Sequence, residues 1–430
     1  MPRSPSPGTP LTGGTDLPQK GELQCEDTTG FGKRSANKRE IIADSVITVL
    51  SESGISGLTH RRVARAAGIS LSATTYHYAT KADMLAEASR DLLARYLAAF
   101  RRSALEHRQG RGRDSSPQAF MTRLLVNAAG RHRRESLAWC EIILDAAKSL
   151  EGHQLAHHWF EELHEAWSDL FRAFGADCDD GDVQVAIDTV IGLMFIVLPL
   201  NLNPAQVAEI RSNAWSEALE ALSAMPSPPA DADRPLGKKA QATRARIVEG
   251  TIKILKQSGV ASVSYRAVAE ESGVAFTAPA YYFGSIETLI RVAEAELFQE
   301  SKARYRQMLS AANLAQPSAE TLADLTAAIL VREATEFRLA SIAHYSVWLA
   351  ATRIEALRPA VASAVVDQIH AWERRIAQIG AVGPGDGTCL QALFLGQLIR
   401  SLACGAPLAI MANTRGNFLK RLSQRLGHQK

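Results

Sequence analysis

Three observations make this an all-α protein of two similar units. Apolar residues recur at helical spacing along most of the chain, no segment of useful length alternates as a strand would, and the second half repeats the first at one constant offset. At 430 residues the chain exceeds one ordinary domain, and 46% hydrophobic residues suffice for two cores. Five scattered cysteines without metal-finger spacing point to reduced thiols in a cytoplasmic protein. The longest apolar stretch, TVIGLMFIVLPL at 189–200, is shorter than the roughly 20 residues a bilayer requires and reads as a buried helix. No membrane association is expected.

Residues 1–35 are rich in Pro, Gly, Ser and Thr with no apolar run, so they read as a disordered tail and not a secretory signal. REIIADSVITVLSESG then sets Ile41, Ile42, Val46, Val49 and Leu50 on one helix face and stops at Gly54. In the next segment, LTHRRVARAAGISLSATTYHYATKADML, Thr59 is a good N-cap and Val63, Ala64 and Ala67 give a short helix a close-packing face. Gly68 permits a tight turn, Ser70 caps a second short helix, and Thr80 to Asp83 is a capping-box pattern for a third. This is a helix-turn-helix. The second short helix bears Leu71, Ser72, Thr74, Thr75, Tyr76 and His77, too polar for a core element but suited to phosphates, base edges and thymine methyls. Arg61, Arg62, Arg65 and Lys81 give residues 59–81 four positive charges and no acidic one.

The residues GIS, TTYHY and TK resemble the DNA-binding domain of the TetR (tetracycline repressor) family of bacterial transcriptional regulators. The resemblance implies that the helix at about 70–77 lies in a DNA groove and that Lys81 holds a phosphate. Tyr76, His77 and Tyr78 would divide between phosphate contact and packing. A basic arm of Lys33, Arg34, Lys38 and Arg39 would follow the backbone, with a merely solvated face as the rival reading. The expected contact set is Lys38, Arg39, Thr59, Arg61, Arg62, Ser70, Leu71, Ser72, Thr74, Thr75, Tyr76, His77 and Lys81.

MPSPPADADRPLG at 225–237 reads as a linker, and beyond it the unit is written again. Gly259, Arg266, Val268, Gly273 and Tyr281 stand 205 positions after Gly54, Arg61, Val63, Gly68 and Tyr76, and Trp372 and Gly380 answer Trp167 and Gly175 at the same offset. The chemistry drifts: residues 264–286 hold Arg266 against Glu270 and Glu271, Ala275 replaces the capping Ser70, Pro279 enters the helix, and Ile286 replaces Lys81. Either this second reader binds DNA differently and more weakly, or it is a scaffold. Lys238, Lys239, Arg244 and Arg246, with Phe276, Thr277, Tyr281 and Tyr282, favour the first alternative, and Arg244, Phe276, Thr277, Tyr281 and Tyr282 are its expected contacts.

The expected domains are 36–82 and 238–287 for the helix-turn-helix units, with bundles at 83–224 and 288–425, each opened by a long helix (about 81–107 and 286–310). The resemblance implies that such bundles hold an effector pocket and a dimer surface. RESLAWCEIILDAAKS (134–149) and RLASIAHYSVWLAATR (338–353) are read as counterparts. Trp139, Trp159, Trp167, Trp348 and Trp372 are the candidate ligand-binding residues, with plain core as the rival reading. TVIGLMFIVLPL and LQALFLGQLIRSLACGAPLAIM are expected to face each other, making one chain a covalent pseudo-dimer; further association into a homodimer stays open. His153, His157, Glu161 and His164 share a helix face, which suits zinc by spacing, but charged neighbours favour a solvated surface. The expected function is a sequence-specific regulator of a double-stranded DNA operator, a repressor released by a small apolar effector, with no metal, cofactor or catalysis. The alternative is a helical interaction protein whose helix-turn-helix has lost operator binding.

Overall fold

The computed structural model describes residues 28–210, 212–225, 236–311, 318–406 and 408–427. Most are helical, and no strand occurs among them. The first unit runs α1 (Thr28–Gly57), α2 (His60–Ala67), α3 (Leu71–His77), α4 (Lys81–Arg108), α5 (Pro117–Ala129), α6 (Arg133–Ala146), α7 (Leu150–Ala173), α8 (Asp180–Val197), α9 (Pro204–Ala208) and α10 (Asn213–Ser223). The second runs α11 (Lys238–Ser258), α12 (Tyr265–Ser272), α13 (Ala278–Phe283), α14 (Ile286–Ala311), α15 (Ala319–Ala334), α16 (Arg338–Ala350), α17 (Arg358–Ile376), α18 (Asp386–Ala403), α19 (Leu408–Ala412) and α20 (Thr414–Gly427). Helix answers helix, so the repeat in the sequence is a repeat in the fold.

Residues 1–27 of the expected tail and 226–235 of the expected linker lie outside the described residues. The helix start differs from expectation: α1 already includes residues 28–35. No proline falls there, so a helix held by the buried Ile42, Val46, Ile47 and Leu50 can extend backwards at little cost. At the other end Gly54 (φ 65, ψ −177) breaks the helical path before one last turn. Helices α6 and α16 begin at Arg133 and Arg338, 205 positions apart, which sets Trp139 opposite His344.

The halves meet where α8 packs on α18, the pair of apolar segments expected to do so. Their backbones nearly touch: a Cβ on Gly192 would fall 1.9 Å from the Ala392 carbonyl oxygen, and one on Gly396 would fall 1.7 Å from that of Asp188. Only glycine allows this crossing. Beside it, the Arg400 guanidinium donates two hydrogen bonds to the Asp188 carboxylate, at 2.8 and 2.9 Å, with both groups buried. Burial alone would lower the pKa of Arg400, but Asp188 more than compensates and raises it. The contact extends through α10 on α17 and through Lys420, which reaches Asp179 and Asp182 of the first unit.

Candidate nucleic-acid interface and effector cavity

The local chemistry of the first reader follows its sequence. Thr59 accepts from the Arg62 N–H at 3.2 Å to cap α2, and Gly68 takes the left-handed conformation (φ 65) that the turn requires. Ser70 then caps α3 through the Ala73 N–H, and Thr80 with Asp83 forms a complete capping box on α4. Val63, Leu58, Met84 and Tyr78 are buried together with the face of α1 and hold the three helices as one body. His60 Nε2 lies 2.9 Å from the Tyr78 carbonyl oxygen, tying α2 to the end of α3.

What this leaves outside is the opposite face of α3. Tyr76 is 83% exposed and Leu71 50% exposed, an unusual expense of apolar surface on so short a helix, and Ser72 and Thr75 are exposed beside them. Lys38, Arg39, Arg61, Arg62 and Arg65 are exposed as well, while Lys33 and Arg34 lie outside the residues whose side chains are described. His77 is only partly exposed; burial first, then Arg39 and Lys38, lowers its pKa, so it faces this surface uncharged at neutral pH.

Two expected contacts are corrected. Thr74 is completely buried, with its hydroxyl turned back to the Ser70 carbonyl, because position 74 faces α2 and the core. Lys81 does not extend to solvent: its Nζ donates to the Ile55 carbonyl at 2.5 Å, and burial depresses its pKa. It closes the end of α1 instead of presenting a phosphate anchor. Tyr78 is core, its phenol pushed up to about 12 chiefly by burial.

The second reader repeats the scaffold with less charge. Ser264 caps α12, Gly273 (φ 61) makes the turn, and Tyr265 Oη donates to the Gly284 carbonyl at 2.8 Å where His60 served in the first copy. Its reading helix changes as the lost cap predicts. Helix α13 has no side-chain cap and starts at Ala278, with Pro279 in its first turn, two residues later than the first copy would place it. Phe276 is 63% and Tyr281 73% exposed, and Thr277 is also exposed. Tyr282 is half-buried, and Arg244 is drawn inward, its guanidinium over the Phe283 ring at 5.1 Å. Arg266 is already paired with Glu270 on its own helix at 2.9 Å.

Three polar links strap the first reader to its bundle. Asp44 on α1 accepts from Arg134 on α6 at 2.8 and 2.9 Å; although burial opposes it, Arg134 and then Arg95 hold this carboxyl below the usual aspartate range. Just past the Gly54 break, the Ile55 N–H donates to Glu141 on α6 at 3.1 Å, and the Ile55 carbonyl takes Lys81. Glu141 also pairs, at 2.7 Å, with Arg353 from the second unit. None of these was legible in the sequence, since each joins residues tens to hundreds of positions apart; the only signal was an acidic residue, Glu141, inside the apolar run from Leu137 to Leu144 of α6.

Two residues before Glu141 on the same helix, Trp139 lines a cavity of about 570 Å³ between α4, α5, α6, α7 and α8, within the ~300–1,000 Å³ typical of small-molecule sites. Tyr96, Phe100, Phe120, Trp159 and Trp167 complete its aromatic wall. Trp159 is held by a hydrogen bond to Ser89 at 2.6 Å. Three of the five expected ligand tryptophans therefore meet at one cavity. Trp348 and Trp372 are a correction: Trp348 donates to Glu294 and Trp372 to Gln391, both at 3.1 Å, and Trp372 stacks on Phe418. Both are core residues, because in the second unit buried acceptors close over the indoles. The four residues at zinc spacing do not converge either; His153 turns to the Ala147 carbonyl and His164 to that of Asp180.

A family model described as the tetracyclin repressor-like C-terminal domain matches residues 114–214 and again 317–423, the two bundles. Both bundles belong to the tetracycline repressor-like C-terminal domain family. No curated protein matches the chain. The TetR-like match covers the α8–α18 contact and the part of the cavity lining contributed by α5 to α8, but not its α4 wall, and stops short of both readers. Among the described residues no helix is long and apolar enough to cross a membrane.

Proposed function

We propose that this chain is a DNA-binding transcriptional regulator, a repressor in which one TetR-like polypeptide replaces a dimer. The observation that supports it best is the exposed face of α3. Leu71, Ser72, Thr75 and Tyr76 project from a capped helix on a packed scaffold, with Arg61, Arg62 and Arg65 exposed on the adjoining α2. Exposed apolar and hydroxyl groups contact base edges and thymine methyls, while the arginines hold phosphates and set the register. Lys38, Arg39, Thr59, Ser70 and His77 complete the first contact set. Phe276, Thr277, Tyr281 and Tyr282 form a weaker second one, so the preferred operator is non-palindromic, with half-sites about one DNA turn (~34–36 Å) apart.

Release by an effector follows from the straps. A ligand against Trp139 bears on α6, and α6 holds the break in α1 through Glu141 and the body of α1 through Arg134. Because Glu141 also grips Arg353, a shift of α6 changes the first reader relative to the second unit. The effector acts by preferring the bundle state whose readers no longer fit the groove spacing.

The test is selection of bound sequences from random duplexes with the full chain, followed by mobility shift. Enrichment of one asymmetric motif, weakened by Tyr76→Ala and insensitive to effector in Glu141→Gln, is the expected result. A chain that retains no duplex even at low salt overturns the reading and favours a helical interaction protein.

A further inference from the structure

The cavity in the first bundle holds unmatched hydrogen-bond donors beside one unmatched acceptor, Glu135 Oε2. Trp139 is 4% exposed, yet its Nε1–H has no hydrogen-bond partner among the described residues. The Tyr96 hydroxyl, beside Ser136, also makes no hydrogen bond of good geometry, and burial raises its pKa so that it stays protonated. An indole N–H can only donate, and a buried donor left unmet is costly, so the wall calls for an acceptor atom.

The charges around the same cavity agree. Of the lining arginines, Arg95 is engaged by Asp44 and Asp91, and Arg123 by Asp114. Arg102, Arg113 and Arg131 are exposed and make no ion pair among the described residues. Against them stand Glu106, and Glu135, whose Oε1 Arg134 holds while its buried Oε2 has no hydrogen-bond partner among the described residues; three unpaired arginines still outnumber these two carboxylates. The rim is therefore cationic while the wall is aromatic.

The repeat supplies the control. At the 205-residue offset, Arg95, Arg102, Arg113, Arg123 and Arg131 become Glu300, Gln307, Ser318, Ala328 and Glu336. The donor Trp139 becomes His344, whose Nδ1 lies 2.7 Å from the buried Glu294 carboxylate, and Trp159 becomes Ala364. A scaffold shared by both halves has kept Trp372 at the position of Trp167, but none of these five arginines and neither Trp139 nor Trp159.

We infer that the first bundle alone binds an organic anion with a flat apolar body, one per chain, its rings among Trp139, Trp159 and Trp167, an acceptor atom toward the Trp139 Nε1–H, and its acid group at the arginine rim. This rests on the first bundle being the effector site and replaces an apolar effector with an amphipathic acid.

The test uses two probes that differ in charge, 8-anilinonaphthalene-1-sulfonate and its uncharged parent N-phenyl-1-naphthylamine, titrated into the full chain without DNA and followed by fluorescence. The sulfonate is expected to saturate at one equivalent per chain, quench tryptophan emission, and bind about tenfold tighter than the parent. Arg102→Gln with Arg131→Gln, both on the surface and harmless to folding, removes that advantage and leaves the parent unchanged; Arg306→Gln on the second unit changes neither. Two equivalents per chain, equal binding of the two probes, or indifference to the paired substitution overturns the inference. If the sulfonate binds as expected but leaves a DNA complex intact, the anion site stands and the regulatory reading fails, so the two are separable.

Discussion

The two readers share a scaffold and differ in how they are wired. At the positions of Asp44, Arg134, Glu141 and Lys81, the second unit has Glu249, Leu339, Ser346 and Ile286. The first reader is fixed to its bundle by charge-assisted hydrogen bonds that a movement of α6 would break or stretch; the second rests its start of α14 on an apolar residue and turns Ser346 back to its own helix. The first has exposed arginines free to meet phosphate, whereas Arg266 of the second is spent on Glu270. Duplication within one chain removes the requirement that both copies do the same work. A homodimer must place each substitution twice; here the cationic cavity, the straps and the basic reader gather in one half.

The largest effect is expected where the halves are joined. Asp188→Ala leaves Arg400 buried without its partner and should cost about 3–5 kcal/mol in denaturant unfolding, while the paired change of Asp188 and Arg400 to leucine recovers most of it. A single change that costs nothing would mean that the halves do not depend on this contact. Next, Tyr76→Ala should lose about 1–3 kcal/mol of binding to a selected operator, measured by mobility shift. Tyr281→Ala should lose less, and equal losses would erase the distinction between the readers. Caps give a third comparison: Ser70→Ala should destabilise by about 0.5–2 kcal/mol, read from thermal unfolding, whereas Ala275→Ser, two residues before the Thr277 N-cap of the later-starting α13, should change stability little. The smallest effect is acid sensitivity. The Asp44 carboxyl has a lowered pKa in the folded state, so its contribution is complete above the ordinary aspartate value of ~3.9 and is lost as the pH falls through the lower folded value. Arg134→Leu, which copies the second half, should lower neutral-pH stability slightly by removing that contribution, and flatten the acid limb so that the two proteins converge at low pH.

Sequence by itself determined the helices, the repeat and the exposed chemistry of α3, because these rest on local spacing: apolar residues every three or four positions, Thr59 and Ser70 as caps, Gly68 and Gly273 at left-handed turns. It also paired α8 with α18, since two such apolar helices must cover each other. Tertiary structure decided the rest. Thr74 and Lys81 read as contacts because their type suits DNA, but only the fold shows that one faces the core and the other closes on Ile55. Five tryptophans looked alike in sequence; three meet around a cavity and two are closed by Glu294 and Gln391, acceptors 54 and 19 positions away. Whether a buried donor is satisfied depends on which atoms lie within about 3 Å, and distance along the chain carries no information about that.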